Sequence, residues 1–355
     1  MPSPTRHTRG NATGTRTEHN GSCERITRMP TRREFLLTTA GAGASLFLVN
    51  SCSDQGSSGS NFPQRPITLV VGSAAGGSTD QTARALTANF QLDADISVQN
   101  REGGNQTIAL AEVANEDPDG YTLILASNGP FSTEMTLREV QYTIDDFVAI
   151  TGVIQEPQAI AVRADSPWES LDDLLQVGAS EQPLRAGQSG SGSWLRLVHD
   201  ALYNRGGVDA NNVPFDGSAP AIQGLLGDEI DSVVASLAEL KQYVDSGDAR
   251  YLGIFSEERS DLDPDVPTVQ EQGYDVPAVT VTKSILAPAG VPDDVVQALR
   301  DGFADTFDTD DYQAFIDENL LEPREIGGDE VIDGLKSDQE KAQTLIEELD
   351  VDVDG

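Results

Sequence analysis

Short apolar runs alternate with amphipathic segments along the chain from Pro66 onward. The run Ile67–Val71 is apolar almost throughout, which is typical of a strand buried on both faces of a parallel sheet. Further strands are predicted at Tyr121–Ala126, Ala159–Arg163, Leu184–Ala186, Asp231–Ala235 and Tyr251–Phe255. Helices are predicted between them, over 107–115, 168–176, 194–204, 218–227 and 237–246. Strands that alternate with helices indicate an α/β protein with parallel sheets.

Two stretches are expected to cross between two lobes. One lies near Arg163–Ser166, and the other is the extended run Thr280–Pro288, which leads into a helix after Pro292. Two crossings place a middle lobe inside a first lobe, as in a hinged protein that binds its ligand in a cleft. The predicted division is an export signal with a flexible tether, a first lobe in two pieces, and a second lobe: 1–60, 61–164 with 285–355, and 165–284.

The first 60 residues carry targeting signals that do not belong to the fold. Thr31–Leu36 is a twin-arginine export motif, and the apolar stretch after it is too short to span a membrane. Val49–Cys52 resembles a lipoprotein cleavage box, so Cys52 is predicted to be lipidated and to hold the protein on the outer face of the cytoplasmic membrane. The alternative is a buried helix with a chance Arg-Arg pair. Translation is expected to begin at Met29, with Met1 as the other possibility.

The strongly negative charge of the chain limits which ligands and macromolecules it can bind. The chain has 59 acidic and 23 basic residues, a formal net charge of −36, and the acids recur in short clusters along its length. An acidic surface with few lysines resembles the proteins of extreme halophiles, in which salt screens self-repulsion. Nucleic acid is disfavoured as a partner because no basic stripe is present to neutralise phosphates. An anion site on such a protein needs local positive potential.

Few side chains are available for catalysis or metal binding. After export processing the chain keeps one cysteine, Cys52, and one histidine, His199, which excludes an internal disulfide, a Cys/His zinc site and a Cys-His pair. His199 lies within a predicted helix and is expected to be partly exposed at the surface. No nucleophile elbow with its triad partners can be assembled. We therefore expect no enzyme, no cofactor and no metal; a secreted hydrolase that acts through Ser191 or Ser193 is a remote alternative.

Two loops rich in small residues each follow a strand and precede a helix. The first is Gly72–Asp80, and Ser78–Gln81 at its end has the form of a capping box. The second is Gly187–Trp194. Free amides and partial positive charge at a helix start favour anions. Neither a P-loop nor a dinucleotide motif is present. The alternatives are a tight turn without a ligand for the first loop and a Gly/Ser linker for the second.

The chain resembles the substrate-binding receptors of tripartite tricarboxylate transporters, also called Bug receptors. The resemblance covers roughly residues 62–330. It is carried by an ordered set of segments: Arg65–Val71, Ala75–Asp80 with Ala83–Leu86, Val98–Arg101 before Gly103–Gly104, Pro118–Leu123, Gly190–Ser193, Val213–Pro220, Pro267–Tyr274 and Ala287–Pro292.

This resemblance implies a type II periplasmic-binding-protein-like α/β fold, with two Rossmann-like lobes joined by two hinge crossings. It also implies a monomer that captures a small organic acid, such as a di- or tricarboxylate, and delivers it to membrane permease subunits. A sensory protein of the same fold is the alternative. The implied ligand-binding residues are Ser73, Ala74, Ala75, Gly76, Gly77, Ser78, Asp80, Asn128, Gly129, Ser189, Gly190, Ser191, Gly192, Ser193 and Phe215.

Two departures from the family pattern bear on the ligand. The family commonly has an aromatic residue or a proline before its Ala-Gly-Gly, whereas this chain has Gly72-Ser73. Arg196 replaces a histidine that is often found after the second loop. An arginine can bind a carboxylate with two hydrogen bonds, so Arg196 is a candidate ligand contact, with a plain surface residue as the alternative.

Overall fold

The computed structural model describes residues 62–92, 94–177, 183–189, 194–215 and 217–349. The predicted export signal, tether and lipidated Cys52 lie outside these residues, as do Gly190–Ser193 of the second loop. Within the described part of the chain, no helix is both long enough and apolar enough to cross a membrane.

The strands and helices follow the alternation that the apolar pattern predicts. The strands are β1 Ile67–Val71, β2 Ile96–Asn100, β3 Thr122–Ser127, β4 Phe147–Arg163, β5 Leu184–Ser189, β6 Ala210–Phe215, β7 Ser232–Ser236, β8 Ala249–Ile254, β9 Thr280–Pro288 and β10 Glu322–Pro323. The helices are α1 Ser78–Ala88, α2 Thr107–Ala114, α3 Met135–Leu137, α4 Leu171–Val177, α5 Trp194–Gly206, α6 Ser218–Leu226, α7 Leu237–Asp245, α8 Asp293–Phe307, α9 Asp310–Glu318 and α10 Gly328–Glu348. A π-helical turn, Pro130–Glu134, precedes α3.

The strands form two sheets that share β4. The first sheet has the order β2-β1-β3-β9-β4, in which β1, β2 and β3 are parallel and β9 and β4 are antiparallel to their neighbours. In the second sheet, β5 pairs in parallel with β6 and β7, and β4 pairs antiparallel with β7 and β8. β4 can serve both sheets because it is 17 residues long. Its residues 147–157 pair with β9, and residues 158–163 pair with the second sheet.

Apolar side chains cover both faces of each sheet. In the first sheet one face packs against α1, α8 and α9, and the other packs against α2 and the start of α10. In the second sheet one face packs against α4 and α5, and the other against α6 and α7. Near-continuous apolar strands are expected where helices cover both faces of a sheet.

Helix α10 contributes to the cores of both sheets. Val331 and Leu335, near its start, pack in the core beside α2 of the first sheet. Ala342, Leu345 and Ile346, near its end, pack in the core beside α5 of the second sheet. The helix therefore packs against both sheets, which also share β4.

The prediction for His199 is wrong. Its side chain is 1% exposed and lies in α5 against Tyr203, with ring centroids 4.7 Å apart. Nε2 is 3.4 Å from Ser232 Oγ, whereas Nδ1 has no hydrogen-bond partner among the described residues. Burial lowers the pKa of His199 to about 3. Its helical position did not reveal burial, because Leu197, Val198 and residues 201–203 are buried too, so most of this part of α5 faces the core.

Candidate ligand-binding site

The carboxyl ends of the parallel strands in both sheets converge where β4 passes from one sheet to the other. Ser127, at the end of β3, pairs with Lys283 of β9, and Ser236, at the end of β7, pairs with Gln158 of β4. Ligands of open α/β sheets bind outside the carboxyl ends of the strands. The loops that follow β1, β3, β5, β6 and β7 are therefore the candidate site.

The Ser73–Gly77 loop joins β1 to α1 and is largely exposed. Gly76 has a φ of 85°, in the left-handed region that suits glycine. Ser73 Oγ is buried and has no hydrogen-bond partner among the described residues. The predicted capping box is wrong, because the residue before the helix is Gly77 and no side chain caps it. Ser78 is instead the first residue of α1, which leaves its hydroxyl available for other contacts.

Asp80 fixes the shape of the Ser73–Gly77 loop. Its side chain is 2% exposed, and Oδ2 accepts hydrogen bonds from Gly76 N (2.8 Å) and Arg84 Nε (2.9 Å). Oδ1 accepts from Arg84 Nη2 (2.9 Å) and from Asn100 Nδ2 (3.0 Å), and the same Asn100 atom donates to Ser73 O (3.0 Å). Hydrogen bonding from Arg84 lowers the pKa of Asp80 to about 2. The Asp80 carboxylate is thus held by Gly76, Arg84 and Asn100.

A buried cation lies beside the start of α1. Lys283 Nζ donates to Ser78 Oγ (2.8 Å) and lies 3.0 Å from Glu156 Oε2. The Lys283 and Glu156 side chains are 3% and 14% exposed. A cavity of about 160 Å³ adjoins this group, and its lining includes Ser78 and Glu156 together with Ser236 and Glu239 at the start of α7. Lys283 was not among the predicted site residues, although it is one of only four lysines and lies in a predicted crossing.

Asn128 connects the end of β3 to the second crossing and to α10. It is 1% exposed, and its Nδ2 donates to Thr280 O (3.0 Å) and to Asp338 Oδ2 (2.6 Å). Its Oδ1 accepts from Thr282 N (3.2 Å). Gly129 follows in helical conformation, with open space where a Cβ would lie. The Asn128 side chain is thus engaged by the protein, and the backbone at Gly129 is more accessible.

The second predicted loop is described only in part. Ser189 ends β5 and Trp194 begins α5, whereas the residues between them are outside the described residues. Arg196 Nε lies 3.3 Å from Asp200 Oδ2, one helical turn away, and Asp200 Oδ1 accepts from Asn212 Nδ2 (3.0 Å). Arg196 is therefore paired on its own helix in this structure.

Phe215 is half-buried at the end of β6. A Cβ on Gly224 of α6 would lie 2.6 Å from Phe215 Cζ, so the ring packs directly on the helix backbone at that position. Only part of the surface of Phe215 is therefore exposed.

The sequence analysis also missed the loop between β2 and α2. Four successive residues there, Gly103, Gly104, Asn105 and Gln106, have positive φ angles. Gln106 Nε2 donates to Ser127 Oγ (2.7 Å), and a Cβ on Gly72 would lie 2.7 Å from Gln106 Cβ. Non-glycine residues with such angles cluster at functional sites. The Gly103-Gly104 pair was the available signal, and it places this loop against the ends of β1 and β3.

The profile of the tripartite tricarboxylate transporter family receptor, TctC, matches residues 82–351. The chain belongs to the TctC family. Among curated proteins, BugT from Bordetella pertussis is 31% identical over 249 residues, covering 68% of this chain and 76% of BugT.

Solved structures of TctC-type proteins align over almost their whole length. A solute-binding protein from Polaromonas, solved without ligand, has 30% identity and a TM-score of 0.71, covering 81% of this chain and 99% of that chain. MatC from Rhodopseudomonas palustris with bound malate has 26% identity and a TM-score of 0.68, covering 80% and 100%. A second R. palustris protein, solved with adipate, has 25% identity and a TM-score of 0.71, covering 82% and 99%.

These comparisons confirm the predicted class of fold and protein. The fold is the two-lobed type II fold of periplasmic solute-binding proteins. TctC receptors bind solutes outside the cytoplasm and catalyse no reaction, so this chain is a solute-binding receptor and not an enzyme. The predicted ligand contacts and the predicted lobe boundaries at 164 and 284 stay predictions.

Proposed function

We propose that this TctC receptor captures a small organic acid with at least two carboxylates and delivers it to the permease subunits of a tripartite tricarboxylate-type transporter. The observation that carries the proposal is the Ser73–Ser78 loop at the carboxyl end of β1. It brings together a glycine-rich backbone, a helix start and the Ser73 hydroxyl, which has no partner among the described residues. Such donors suit a carboxylate. Relatives solved with malate and adipate support the same class of ligand.

The ligand is proposed to lie between the loops of the two lobes. The lobe with β1 and β3 contributes the Ser73–Ser78 loop and the backbone at Asn128-Gly129. The other lobe contributes Ser189–Ser193 and Phe215, and Arg196 is a further candidate if it exchanges Asp200 for the ligand. Because the whole chain carries a net charge of −36, these local donors have to offset long-range repulsion of an anion, and salt in the medium would weaken that repulsion.

The expected result of adding the ligand is a more stable protein. Malate, adipate and a panel of other di- and tricarboxylates should be compared in high-salt buffer by thermal and denaturant unfolding. An acid present at about 100 times its Kd should raise the free energy of unfolding by about 2.7 kcal/mol, since it binds only the folded state. Monocarboxylates of similar size are the control. The proposal fails if no organic acid in the panel shifts the unfolding transition.

We also propose that the receptor is exported by the twin-arginine route, functions as a monomer and is held at the membrane by a lipid on Cys52. Cys52→Ser should move most of the protein from the membrane fraction to the soluble extracytoplasmic fraction, because one cysteine carries the whole anchor. Ser58→Ala is the matched control, since Ser58 lies in the same predicted tether and is not a candidate for lipidation. A Cys52→Ser protein that stays in the membrane fraction would show that the anchor is elsewhere.

A further inference from the structure

Lys283 is the most deeply buried cation beside the proposed ligand loops, and the proposed function does not yet give it a role. It lies on β9, with its side chain 3% exposed. Removing an ammonium group from water is costly unless the group is paired and hydrogen-bonded. Glu156 supplies the pairing charge at 3.0 Å, which leaves the contact with Ser78 to be explained.

The hydrogen-bonding capacity of the two groups makes the Lys283–Ser78 contact directional. An ammonium group has three donors and no acceptor, whereas a serine hydroxyl has one donor and two acceptor lone pairs. Ser78 Oγ is therefore the acceptor in the 2.8 Å contact with Lys283 Nζ. The hydroxyl proton of Ser78 must point away from Lys283. No acceptor for that proton is found in the described part of the chain.

Ser78 lies where its hydroxyl can donate a hydrogen bond to a ligand. Ser78 is exposed, is the first residue of α1 and lines the cavity between the starts of α1 and α7. The free backbone N–H groups at the start of a helix point out of that end and favour an anion there. Acceptance from a cation also makes the Ser78 hydroxyl a stronger donor.

We propose that Lys283 is a positioning residue that orients and polarises the Ser78 hydroxyl so that it donates to a carboxylate of the ligand. Lys283 acts through Ser78 and does not itself touch the ligand, since its ammonium is enclosed between Ser78 and Glu156. This role rests on the proposed function, because it requires that an organic acid binds at the start of α1. Glu156 has a different task, which is to neutralise the buried ammonium.

The two members of the ion pair can be separated by mutation. Lys283→Met and Glu156→Gln both break the pair and both should destabilise the fold. Only Lys283→Met removes the donor to Ser78, so it should weaken binding of malate or adipate about tenfold or more. Glu156→Gln should change the Kd by less than about threefold, because Lys283 still donates to Ser78. A role in stability alone predicts similar changes in affinity for the two variants.

Titration calorimetry in high salt on the wild type and a set of variants tests the role. If Lys283→Met folds poorly, Lys283→Met/Glu156→Gln avoids an unpaired buried carboxylate and should regain stability while the affinity stays low. Ser78→Ala should bind weakly, and adding Lys283→Met to it should weaken binding no further.

The role is overturned if Lys283→Met binds like the wild type, if Glu156→Gln weakens binding equally, or if the Ser78 and Lys283 effects multiply. A wild type that binds no acid in the panel overturns the proposed function, and this role with it.

Discussion

Replacing Asp80 with asparagine should lower both stability and ligand affinity. The Asp80 carboxylate accepts hydrogen bonds from Gly76, Arg84 and Asn100. In asparagine an NH2 group replaces one of the two accepting oxygens, so it would face N–H donors and could not accept from them. Loss of a buried charged acceptor costs about 2–3 kcal/mol of unfolding free energy. Because the same contacts hold the Ser73–Gly77 loop, the affinity for an organic acid should fall by about tenfold or more. Denaturant unfolding and calorimetric titration measure the two effects separately.

Asp245→Asn is the matched control for the Asp80 prediction. Lys241 and Asp245 form an ion pair with the same spacing of four residues on α7, but Asp245 is 61% exposed. An exposed pair of this kind contributes about 0.5 kcal/mol or less. Asp245→Asn should therefore leave stability and affinity nearly unchanged. Equal losses in the two variants would mean that the Asp80 network contributes no more than an ordinary surface ion pair.

Acidification should destabilise the protein through His199 well before most carboxylates are protonated. Burial lowers the pKa of His199 from 6.5 to about 3. Between these two pH values the His199 ring is protonated in the unfolded chain and neutral in the folded chain. This contribution is absent above about pH 6.5 and grows as the pH falls toward 3. Each pH unit in that window costs about 1.4 kcal/mol, which amounts to about 2 kcal/mol at pH 5.

The His199 contribution can be isolated by comparing the wild type with His199→Leu between pH 5 and 7.5. The comparison should use a chain that begins after residue 51 and has no histidine tag, because His199 is then the only histidine. The wild type should lose stability more steeply with falling pH than the variant. An NMR titration provides a second readout: the His199 ring should remain neutral at pH 5. Parallel pH profiles, or a ring that titrates near pH 6.5, would contradict the prediction.

The framework of the fold was predictable because it depends on local apolar pattern. β1 and β9 have the bounds that were predicted for the first strand and the second crossing, and the starts of α5, α6 and α7 also agree. β2 was missed because its residues are alternately half-buried and exposed at the edge of the first sheet. The first half of β4 was missed because its register with β9 shifts twice, which interrupts a regular strand pattern.

The site was predictable as a set of loops but not as a set of contacts. Glycine and serine after a strand indicated the Ser73–Ser78 loop, since backbone freedom and small side chains are local properties. The contact between Lys283 and Ser78 joins residues 205 positions apart, so no local pattern contains it. The capping box failed because α1 begins at Ser78 itself, so that Gly77 occupies the position the motif assigned to the serine.

Helix α10 has a mechanical consequence for opening and closing. Its first half is embedded in one core and its last turns in another. A change in the angle between the two sheets would have to break the contacts of α10 with one core or bend the helix between Leu335 and Ala342. We therefore expect α10 to resist such a change through its bending stiffness and its packing on both cores.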